Sequence, residues 1–154
     1  MGTRFRKCRN AAGRMGWARL VPFTFCVNLV STALADGASI SGSFNTDPGL
    51  PFILTEMRCE NDSDTSTVGT VQQMLFSITD GANQMLYSNQ AIPRNAMFGT
   101  RDFPRQLPSE VEIPPSDTLT VSMTNKTGAA LSTTTRVCFG GYKLVNWAEV
   151  KPEE

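Results

Sequence analysis

Between residues 20 and 145, apolar side chains return at every second position in short runs, and turn-forming residues separate the runs. In 21–29, Val21, Phe23, Phe25, Val27 and Leu29 alternate with Pro22, Thr24, Cys26 and Asn28, the period of a strand buried on one face. Over 118–124, Leu119, Val121 and Met123 alternate with Thr118, Thr120, Ser122 and Thr124, and Asn125-Lys126-Thr127-Gly128 then supplies a turn. The same punctuation predicts strands over 38–45, 51–58, 70–79, 84–88, 91–97 and 133–145, while no stretch sustains helical spacing. The pattern is that of an all-β sandwich of about eight strands.

Two places depart from this rhythm. Gly140-Gly141, inside the last run, predicts a bulge that shifts the facing set by one residue. In 98–117, Pro104, Pro108 and Pro114-Pro115 exclude a central strand and predict an irregular surface loop. Phe98, Arg101, Phe103 and Arg105 in that loop are candidate contact residues, because aromatic and Arg side chains are enriched where proteins meet.

Charge changes the picture at the amino terminus. The formal net charge is +0, yet residues 1–35 hold Arg4, Arg6, Lys7, Arg9, Arg14 and Arg19 without an acid, leaving the remainder at −6. The chain reads as a basic arm on an acidic body, attractive to any acidic surface. The run Leu20–Ala33 followed by Ala33-Leu34-Ala35 also fits a cleavable signal. Its alternation and its aromatic and β-branched content favour a strand instead, and it is shorter than the ~20 apolar residues of a membrane span.

Composition narrows the chemistry. With no His among 154 residues, there can be no Ser-His-Asp or Cys-His catalytic group and no His-ligated metal. Cys8, Cys26, Cys59 and Cys138 lack metal-site spacing and are expected as thiols; in a secreted chain Cys59–Cys138 is the pair to test. Glu60, Asp62 and Asp64 are spaced like the start of a calcium loop, but Thr67 and Gln73 stand where Gly and Glu are required. No catalytic residue, metal or cofactor is expected.

Taken in order, Pro51-Phe52-Ile53-Leu54-Thr55, Phe76-Ser77-Ile78-Thr79-Asp80, Phe103-Pro104, Leu107-Pro108, Ile113-Pro114-Pro115-Ser116-Asp117-Thr118-Leu119 and Gly141-Tyr142-Lys143-Leu144 resemble the small jelly-roll cement or decoration proteins of tailed-bacteriophage heads. The resemblance implies a jelly-roll domain over 20–145, set between a basic extended arm at 1–19, which matches no family motif, and a tail at 146–154. It further implies a symmetric oligomer, commonly a homotrimer, bound to the major capsid protein on the outer virion surface after assembly in the host cytoplasm. Neither nucleic acid nor membrane is an expected partner. Arg4, Arg6, Lys7, Arg9, Arg14, Trp17 and Arg19 are then candidate capsid contacts, since Arg forks suit carboxylates. The alternative is a receptor- or glycan-binding module of a phage tail or spike, or a bacterial adhesin secreted after cleavage near Ala35. An exposed aromatic cluster with polar partners at a loop end would favour the glycan reading.

Overall fold

The computed structural model describes residues 2–61, 74–99 and 103–153. Among them the chain forms β1 (Phe5–Arg9), β2 (Met15–Leu34), β3 (Ser39–Asn45), β4 (Phe52–Asn61), β5 (Met74–Thr79), β6 (Met85–Leu86), β7 (Ile92–Pro93), the helix α1 (Arg94–Phe98), β8 (Arg105–Ile113), β9 (Thr118–Asn125) and β10 (Leu131–Ala148). They make two antiparallel sheets, ordered β1-β2-β10-β4-β8 and β3-β9-β5-β6, with β7 also on β5. Pairing is nested: β2 with β10, β3 with β9, β4 with β8, β5 with β7.

The alternation read in the sequence decides which faces meet. Val27 and Leu29 of β2, Val137 and Phe139 of β10, and Phe52 and Leu54 of β4 point inward against Met74, Phe76, Ile78, Leu119, Val121 and Met123 of the second sheet. Phe25 stacks on Phe44 at 4.6 Å between ring centres and meets Phe52 edge-on at 5.0 Å, fastening the sheets at one end. Phe23 of the same run lies largely outside this core at 38% exposure, under the Lys143 ammonium at 3.6 Å. An aspartate there should therefore cost far less than one at Phe25.

Several expectations need correction. Residues 2–19 are not an extended arm: β1 and the first part of β2 form a hairpin, and β2 crosses position 20 unbroken. Asn10 and Gly13 close the turn, with the Arg14 amide donating to Asn10 Oδ1 at 3.0 Å and Gly13 at φ 78°. At the other end β10 continues to Ala148, into the expected tail. The predicted strand over 91–97 is mostly α1, because Met97 and Phe98 both turn into the core. Of 84–88 only Met85–Leu86 is strand. The predicted loop 98–117 holds β8, whose one proline, Pro108, is tolerated because β8 is an edge strand and because Pro108 lies where the register to β4 shifts.

The bulge occurs at Gly140-Gly141, but the extra residue is in the partner strand. Gly140 faces Glu56 and Gly141 faces Leu54, so Thr55 is skipped. The inward set of β4 therefore changes parity, from Phe52 and Leu54 to Met57 and Cys59, while Tyr142 and Leu144 of β10 follow plain alternation onto the outer face. A Cβ on Gly141 would overlap the Ile53 carbonyl oxygen. Gly141→Ala is expected to cost ~1–3 kcal/mol, as overpacking does, read as a lower midpoint in urea unfolding.

The thiol expectation also fails in part. Cys26 and Cys138 are directly opposed on β2 and β10 and form a disulfide, whereas Cys8 and Cys59 are buried outside it. The suggested Cys59–Cys138 pair is excluded by geometry: Cys59 faces the core and Cys138 the outer face.

Candidate functional site

The first sheet buries apolar residues on its outer face as well. Cys8, Ala18, Ile53 and Leu144 form a second, smaller cluster with Leu20, Leu50, Tyr142 and Trp147 packed against it. Gly16 gives Trp147 its seat, since a Cβ there would lie 2.6 Å from the indole Cζ2. The sheet curls around this cluster until its two edges meet through side chains: Arg6 of β1 donates to Glu110 of β8 and stands 3.9 Å from Glu112. Burial, then the nearby Glu112 carboxylate, pushes the Cys8 thiol up against the smaller opposing effect of Arg6. Cys8 in the native protein is expected to resist alkylation at pH 8.

Beside this clasp lies an open groove of about 680 Å³. Every strand of the sheet contributes to it: Phe5 and Arg6 from β1, Leu20 from β2, Tyr142 from β10, Thr55 from β4, Gln106 and Glu110 from β8, with Thr3, Arg4 and Lys151 at the chain ends. Among the described residues its charged lining is three cations against the single carboxylate of Glu110. At the β4–β8 edge, Glu56 accepts from Arg58 at 2.7 Å and Gln106 at 2.8 Å, and these bonds hold its carboxyl below the usual carboxylate range. A depressed folded-state pKa stabilises the fold above the ordinary carboxylate range, and that contribution is lost as pH falls through the folded value. Glu56→Gln is expected to flatten the acid limb of the stability profile in that window.

On the other face of the hairpin, cations and apolar side chains oppose each other pair by pair: Phe5 with Arg19, Lys7 with Trp17, Arg9 with Met15. Lys7, Arg9 and Arg19 are exposed and have no ion-pair partner among the described residues, and Met15 is 46% exposed. Farther along β2 this face carries Val27 and Leu29 into the main core. At the hairpin it is an open surface, cationic and aromatic at once.

The expected contact residues thus divide. Arg4, Lys7, Arg9 and Arg19 sit exposed on the hairpin, Trp17 is half-buried with the Lys151 ammonium 5.6 Å from its ring centre, and Arg6 and Arg14 are engaged by Glu110 and Glu149. The Arg14–Glu149 pair is largely exposed and the Arg6–Glu110 pair partly so, and surface pairs of this kind are worth little; Arg6→Ala is expected to cost no more than ~1 kcal/mol in thermal unfolding. Phe98 is fully buried against Phe76 and is no contact residue. Arg105 donates to the carbonyls of Ala96 and Met97, securing the end of α1. Phe103 is 78% exposed, and Arg101, like Asp62 and Asp64, lies outside the described residues. Of the groove's lining the sequence reading named only Arg4 and Arg6 as candidate contacts; it missed Glu110, which clasps Arg6, and residues such as Thr55, Gln106, Tyr142 and Lys151 that the curl of the sheet brings together.

Among the described residues no helix is long and apolar enough to cross a membrane. No family model, curated protein or solved structure matches this chain.

Proposed function

We propose that this chain is a jelly-roll cement or decoration subunit that binds the outer surface of a phage head. The nested pairing of β2–β10, β3–β9, β4–β8 and β5–β7 supports the jelly-roll reading, because it is the pairing of one long hairpin rolled into two sheets. The observation that carries the docking role is the hairpin face, where Lys7, Arg9 and Arg19 oppose Trp17, Met15 and Phe5. Cations that can reach carboxylates, interleaved with apolar side chains that gain by burial, are the composition of a protein-docking surface. A lattice presenting that surface many times over gains avidity without any catalytic group. The partner in this reading is the major capsid protein, and the subunit is a homotrimer.

The reading is tested with heads of the encoding phage stripped of this protein and emptied of DNA. Wild-type protein should co-sediment with them, and K7E/R9E/R19E should lose at least tenfold in occupancy while keeping its unfolding temperature within a few degrees. Binding only to DNA-filled heads, or equal occupancy by the variant, would contradict it.

A further inference from the structure

The two edges of the first sheet are joined by side chains alone. Among the described residues β1 bonds only β2 and β8 bonds only β4, so within them each leaves one side of its backbone without a neighbouring strand. Proteins blunt such edges with prolines, bulges or charge, because an open edge templates the pairing of another strand. β8 carries Pro108 and a register shift. β1 has a regular register from Phe5 to Arg9 with neither device, only charge, and all of one sign. A uniformly cationic edge repels a second copy of itself and admits an acidic strand.

The chain already displays the complementary chemistry. Glu110 and Glu112, two residues apart on β8, both address Arg6, as carboxylates at alternate positions of any extended segment would. Arg4 and Lys151, both lining the same groove, have no carboxylate partner among the described residues, the Lys151 ammonium lying 5.6 Å from the centre of the Trp17 ring. Alternate side chains of a strand fall on one face ~6.6 Å apart, so one strand could present successive carboxylates to them.

We propose that the open edge of β1 is a docking rail for an extended acidic segment of a partner protein. The segment adds to the sheet as a further strand, exchanging backbone hydrogen bonds with β1 and seating alternate carboxylates in the groove against Arg4 and Lys151. The proposal rests on the capsid reading above for the source of the segment, the capsid subunit.

The test uses full-length protein carrying a photoreactive benzophenone side chain at the exposed Thr3 position, added to heads stripped of the native protein. Cross-links should map to an extended capsid segment with acidic residues at alternate positions. R4E/K151E should lower occupancy at least tenfold and R4K/K151R should restore it to within twofold. Lys126→Glu, an exposed charge in the turn after β9, should change nothing. Cross-links to a non-acidic segment or to polysaccharide would overturn the proposal, as would equal occupancy of R4E/K151E and wild type or an equal loss from Lys126→Glu. In each of those cases wild-type binding leaves the capsid reading intact. Failure of the wild type to bind overturns both.

Discussion

Protein beginning at Asp36 is expected to be unfolded. Removing residues 1–35 takes away β1 and β2, and with them the partner that β10 follows from Leu131 to Ala148. It also removes Val27, Leu29 and Leu34 from the main core and Ala18 from the second cluster. Each buried aliphatic side chain of this size contributes ~1.5–3 kcal/mol, so three already rival the ~5–15 kcal/mol that separates a folded domain from its unfolded chain. The open flank of β10 would add a row of unpaired backbone groups. Circular dichroism and heating should show no cooperative transition. Within the intact protein, Leu29→Asp should approach the same outcome, since it places an unpaired charge at a fully buried site. A soluble truncated protein with cooperative unfolding would show that β2 is dispensable.

The disulfide carries the second large effect. Cys26 and Cys138 are 112 residues apart in sequence, so the bond closes nearly the whole domain into one loop in the unfolded state. Loops of this size are stabilised by ~2–4 kcal/mol, or roughly 5–15 °C in unfolding temperature for a domain of this length. C26A/C138A should lose this amount, and wild-type protein in reductant should fall to the same temperature. Unfolded protein without reductant should titrate the two remaining thiols, Cys8 and Cys59. Identical transitions with and without reductant would contradict the bond's contribution.

What could be read from the sequence was the part governed by period. Alternation at 21–29 and 118–124 placed β2 and β9 with their faces correct, since one buried face demands one apolar residue in two. The hairpin was illegible because its apolar residues lie on both faces: Cys8 and Ala18 on one, Phe5, Met15 and Trp17 on the other. With six bases scattered among them, the segment has the composition of a solvated arm. Prolines correctly kept 98–117 out of the sheet centre but could not exclude an edge strand. The cysteine pairing followed from the β2–β10 register, which no spacing within the chain encodes. The groove was hidden for the same reason, its residues being drawn from five strands and both chain ends.

The capsid proposal puts this chain on the outside of the virion, held by its amino-terminal hairpin. Quantitative peptide mass spectrometry of purified virions, with intact particles first exposed to lysine-reactive and arginine-reactive labels, checks both points at once. A fixed stoichiometry to the major capsid protein is expected. Lys126, exposed in the turn after β9, should be labelled, while the exposed side chains of Arg4, Lys7, Arg9 and Arg19 should be protected on the head but labelled in the isolated protein. Absence from purified virions, or a hairpin as reactive on the particle as in solution, would contradict the proposal.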